Sequence, residues 1–126
     1  MDWQSAIRLL RDRHSPSKDI GQGVLQFEFN LPNHQLVFVN HVWFGEPHPH
    51  VAKLSAPIGY LRDYDLFELT EVVGQKMLGG IYTEENIAYV VSSVMLDNSD
   101  IIALENTLLL TAVVAQAIQA QVKKAG

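Results

Sequence analysis

The chain contains no cysteine. Disulfides, iron–sulfur clusters, thiolate zinc sites and thiol nucleophiles are therefore excluded, and packing alone must hold the fold. Charge is scarce as well, at 18% of the 126 residues, with nine Lys and Arg against fourteen Asp and Glu for a net charge of −5. The cations are dispersed. Only Arg8, Arg11 and Arg13, with His14, gather on one predicted helix, where they read as a solvated face, so no nucleic-acid partner is expected. The start, Met1-Asp2-Trp3-Gln4, lacks the basic and then apolar segments of a secretory signal. The most apolar run, Leu108 to Ala115, is shorter than the roughly 20 residues that span a bilayer. These absences point to a cytoplasmic protein without a membrane role, and lack of cysteine suits a reducing compartment.

What the chain has in quantity is apolar surface, at 48% of residues. Its length fits a single domain over residues 1–126, able to bury a core without staples. Trp3, Ala6, Ile7 and Leu10 recur at helical spacing over residues 3–13, Asp2 is placed to cap the first turn, and Ser15-Pro16 ends the helix. A polar linker follows from Ser17 to Gly23. Leu25, Phe27 and Phe29 then alternate with Gln26, Glu28 and Asn30, as in a half-exposed strand, and Leu31-Pro32-Asn33-His34 makes a turn.

A second strand is expected over residues 35–44, apolar on both parities. Leu36, Phe38, Val42 and Phe44 share one face, and Val37, Val39 and Trp43 the other. Such a strand needs cover on both sides, from its own chain or from a partner. Gly45-Glu46-Pro47-His48-Pro49 is a loop, and Val51 to Ile58 a third strand of an antiparallel meander. Asp63 or Asp65 can cap a second helix that runs to about Leu78, with Leu66, Leu69, Val73 and Met77 as its buried stripe and Gly79-Gly80 as its stop. Ile81-Tyr82-Thr83 and Ile87 to Met95 flank a polar turn and read as a hairpin, the longer strand again apolar on both parities. Asp97 or Ser99 can cap a last helix that extends to about Lys124, where Lys123 and Lys124 complement its dipole. Leucines and valines cover most of its circumference, which predicts a helix buried on opposite sides. The fold class is α+β, in the order helix, three strands, helix, two strands, helix.

Side chains that could carry chemistry do not assemble into a catalytic pattern. His41, His48 and His50 could together hold a metal, but no carboxylate stands at a familiar ligand spacing from them. Asp63 with Asp65 suits a helix start, Glu68 with Glu71 an exposed helix face, and Glu84 with Glu85 a turn. Ser92-Ser93 lies inside a strand without a nucleophile elbow, and neither Gly21-Gln22-Gly23 nor Gly79-Gly80 links a strand to a helix as a phosphate cradle does. The reading from residues is a non-enzyme without catalytic residues, metal or cofactor. Its apolar surplus, on Val37, Val39 and Trp43 and on Val90 and Val94, points to an interface and a groove for an apolar segment. A small-ligand or metal-binding domain built on the three histidines, and a fixed subunit of a larger assembly, are the alternatives.

The hairpin from Gly79-Gly80-Ile81-Tyr82 through Ile87-Ala88-Tyr89-Val90-Val91 to Val94-Met95-Leu96-Asp97 leads into the long apolar helix. With the element order, the length and the acidity, it resembles the class I type III secretion chaperones and the YbjN-like proteins over nearly the whole chain. That resemblance implies a dimeric, chaperone-like protein that holds a partner protein segment and performs no chemistry. By position, it carries the partner-facing surface onto Trp3, Ile7, Leu10, Val37, Val39 and Trp43.

Overall fold

A computed structural model describes residues 1–14, 17–30, 33–75 and 79–122, the side chains of residues 121 and 122 excepted. Six strands form one antiparallel sheet: β1 (Ser17–Asp19), β2 (Val24–Asn30), β3 (His34–Val42), β4 (Val51–Tyr60), β5 (Gly80–Glu84) and β6 (Ile87–Met95), in the order β1-β2-β3-β4-β6-β5. Three helices accompany them: α1 (Trp3–Arg13), α2 (Leu66–Gln75) and α3 (Ile101–Val122). The expected α+β architecture is the one observed, with a sixth strand added.

That strand, β1, falls within the stretch read as a linker. Ser17-Lys18-Asp19 has no apolar residue, and only its backbone ladder with Phe27, Gln26 and Leu25 makes it a strand. The link to β2 turns through Gly21, Gln22 and Gly23, all at positive φ, which two glycines make accessible. The β5–β6 hairpin closes through Glu85 and Asn86, at φ 51° and 69°, as a two-residue turn that follows the twist of the strands requires. Before β5 the chain passes so close to β6 that a Cβ on Gly79 would stand 3.1 Å from the Val91 carbonyl oxygen.

Register explains the core. Leu25 pairs with Val39, Val39 with Leu54, and Leu54 with Ser92, while Ala56 pairs with Val90 and Val90 with Ile81. These residues share one face, and α3 lies across its strands β3, β4 and β6, with α1 and α2 beside it. Leu104, Leu108, Thr111, Ala112, Ala115 and Ile118 of α3 are fully buried there. Polar atoms on the covered face are paired: Ser92 and Thr111 hydroxyls bond at 2.7 Å, and Gln35 donates to the Pro57 carbonyl at 2.9 Å while accepting from Gln116. Tyr64 donates its hydroxyl to the Ile58 carbonyl, and burial, with Asp63 nearby, pushes its phenol up to about 12.

Several local expectations change. Asp100, not Asp97 or Ser99, caps α3 by accepting from the Ala103 amide at 3.0 Å. Asp65 caps α2 through the Glu68 amide. Leu66 is exposed rather than part of the buried stripe, which consists of Leu69, Val72 and Val73. Ser15-Pro16, Met77, Leu78, Lys123 and Lys124 lie outside the described residues. Most consequentially, α3 is not buried on opposite sides. Ile102, Leu109, Leu110 and Val113 form an exposed apolar stripe along it. Its Ile101–Ala120 stretch is long and apolar enough to cross a membrane, which the shorter run Leu108 to Ala115 had not suggested; in this fold its other side is packed on the sheet.

Candidate partner-binding surface

One end of the sheet collects residues from four parts of the chain. Asp2 accepts from the Ser5 amide at 2.7 Å, which fixes the first turn of α1 and sets Trp3 over the end of β3. That hydrogen bond also holds the Asp2 carboxyl below its usual range. On β3 the parity that faces the helices continues from Val37 and Val39 to His41 and, just past the strand, to Trp43. Val42 pairs with Val51, so the two chains leaving that pair bring Trp43 and His50 side by side. The His50 backbone is pinned from β6, because the Leu96 amide donates to its carbonyl at 2.8 Å and Asp97 accepts from its amide at 3.1 Å.

Four rings result, in nearly parallel planes. Trp3 and His41 have centroids 5.4 Å apart at 12°, His41 and His50 5.0 Å at 15°, and His50 and Trp43 4.6 Å at 13°. The middle pair is not a face-to-face stack. His41 Nε2 and His50 Nδ1 are 2.8 Å apart, which leaves about the two ring radii in the 5.0 Å between centroids. The imidazoles therefore lie edge to edge around one in-line hydrogen bond, one ring donating and the other accepting. Trp43 Nε1 donates to the His48 carbonyl at 3.0 Å, tying the loop to the array. A cleft of about 450 Å³ opens beside Trp3, His41 and His50, with Asp2 and Asp97 on its rim.

Of the six residues assigned to the partner, three cannot serve it. Leu10, Val37 and Val39 are 0% exposed, packed in the core of a single chain. The helices cover the Val37–Val39 parity of β3, so its other parity, with Leu36, Phe38 and Val42, is the one left half-open. Val90 and Val94 on β6 are buried for the same reason. Trp3 and Trp43 come together through the two histidines, Trp43 at 44% exposure. Ile7 is half-buried one turn further along α1, beside a separate shallow cleft with Gln4, Arg8 and Arg11.

His48 does not join His41 and His50. Its ring stands edge-on to Phe44, with centroids 6.4 Å apart. Among the described residues no three His, Asp or Glu side chains form a metal-holding group. One nitrogen of each ring, His41 Nε2 and His50 Nδ1, is engaged with the other ring.

Exposed apolar residues outside the six assigned to the partner include Phe44, at 81%, beside Trp43; Met95 on the open face; and Ile102, Leu109, Leu110 and Val113 along α3. Phe67 of α2, which packs beside α3, adds another. Equal spacing of Trp43 and His50 about the Val42–Val51 pair is the one signal that a correct register would have supplied.

No family model and no curated protein sequence matches the chain. Among solved structures, a chain of the crystal structure of the ExsC–ExsE complex matches with a TM-score of 0.71, at 14% identity, over 100% of each chain. At that identity the likeness is one of fold. It extends from end to end and includes all the elements that build the array.

Proposed function

We propose that this chain is a non-catalytic, chaperone-like protein that holds an apolar segment of a partner protein and works as a cytoplasmic homodimer, in the manner of YbjN-like and secretion-chaperone-like proteins. The observation that carries the reading is apolar surface left uncovered by one chain in two separate places. At the array end, Trp43 and Phe44 are exposed on the loop that follows β3, with Trp43 stacked on His50 of the cleft wall. Along α3, Ile102, Leu109, Leu110 and Val113 form a stripe on a helix whose single charge between residues 101 and 120 is Glu105. A charge-free helical stripe suits a lasting interface between copies, whereas an aromatic pair beside a cleft suits an exchangeable segment. Likeness of fold to a chain from a two-protein complex supports the same reading. It requires no titrating or nucleophilic side chain.

The test is binding of the intact chain to an array of short immobilised peptides graded in apolar content. Binding is expected to rise with that content and to fall at least about tenfold in the Trp43→Ser, Phe44→Ser double variant, a loss of about 1.4 kcal/mol. Equal binding by wild type and variant would remove the array end from the account.

A further inference from the structure

We propose that the Trp3–His41–His50–Trp43 array is an acid-operated latch, in which a second proton on the histidine pair breaks the bond between the rings and releases both tryptophans while the sheet stays folded. The inference does not depend on the partner-binding reading.

Its basis is the in-line contact of 2.8 Å between His41 Nε2 and His50 Nδ1. In the neutral pair one nitrogen carries the hydrogen and the other offers its lone pair. One added proton leaves that bond in place, because an imidazolium can donate to the neutral ring more strongly than before. The indole stacked on either side also favours a neighbouring cation. A second proton sets N–H against N–H and two positive rings in contact. The second proton is thus opposed by the contact itself. Burial, and then the charge of His50, lower His41 from its ordinary 6.5.

Each element around the pair contributes its charges. From α1 come Asp2 and the Met1 amino group, which donates to the Leu96 carbonyl at 2.8 Å, with Arg8 acting on Asp2. From beyond β6 comes Asp97, engaged with the His50 amide. From the loop comes His48, turned toward Phe44. Because His41 has a lower value folded than unfolded, its site is uncharged and imposes no penalty well above pH 6.5. As the pH falls below that value the unfolded chain takes the proton first, and stability is lost.

The bond joins the end of β3 to the last residue of the β3–β4 loop, and the stacked rings extend it to Trp3 on one side and Trp43 on the other. Their release would bare Trp3 and Trp43.

Trp3 and Trp43 are the only tryptophans in the chain, so tryptophan emission, excited selectively over the four tyrosines, reports the array alone. In an acid titration of the whole chain, wild-type emission is expected to shift to longer wavelength with a midpoint below pH 6.5, while far-UV circular dichroism stays constant. His41→Gln and His50→Asn each place an amide nitrogen near the bonding atom but do not titrate, and each should abolish the shift; if one fails to fold, the other carries the test. An unchanged wild-type emission, a shift that coincides with loss of circular dichroism, or the same shift in both variants would each overturn the latch.

Discussion

On β3, Val37 and Val39 turn toward the helices and are fully buried, whereas Leu36, Phe38 and Val42 of the same strand turn the other way and keep part of their surface in solvent. The two sets are equally apolar. On β6, likewise, Val90 is buried beneath α3 while Tyr89 and Val91 are half-open, with Tyr89 stacked on Tyr82 at 4.8 Å. All three helices lie against one face, so the parity they cover becomes core and the other remains available. Composition alone does not distinguish them. The difference lies in which parity α3 happens to cover, and it separates residues that hold the fold from residues free to meet another molecule.

The sharpest way to break this comparison is to place a charge on each side of β3. Val39→Asp buries an unpaired carboxylate and is expected to cost more than ~4 kcal/mol, enough to unfold the domain in denaturant titrations. Phe38→Asp sets the same charge on the open face and should cost only about 1 kcal/mol. Equal losses would mean that the open face is core as well. A smaller contrast lies one residue apart on β6. Thr111→Val leaves the buried Ser92 hydroxyl without its partner, at a cost of about 1–2 kcal/mol. Ser93→Ala, on the exposed side, should stay within ~0.5 kcal/mol.

Periodicity made α1, α2 and β2 legible, while β3 to β6 and α3 were legible as apolar runs bounded by turn residues. β1 was hidden, since Ser17-Lys18-Asp19 joins the sheet through backbone bonds that leave no apolar trace. The double parity of β3 rightly signalled apolar surface on both faces, but the partner-facing role went to Val37 and Val39, the pair the helices bury. For α3, leucines around the circumference suggested burial on opposite sides, yet a single chain covers only one. The ring array was beyond reach for a different reason. Its members come from α1, β3 and the loop before β4, and they meet only once the Val42–Val51 register is known. The sequence offers His41, His48 and His50 only as a possible metal-holding set, whereas in the structure His41 and His50 meet and His48 stands apart.

The account's central claim is that the uncovered apolar surface belongs to other chains, and the solution mass tests it most directly. Light scattering on the wild type is expected to give a dimer. Leu110→Asp with Val113→Asp, on the exposed stripe of α3, should give a monomer with unchanged far-UV circular dichroism. A wild type that is already monomeric at concentrations well above micromolar, or a double variant that remains dimeric, would contradict it.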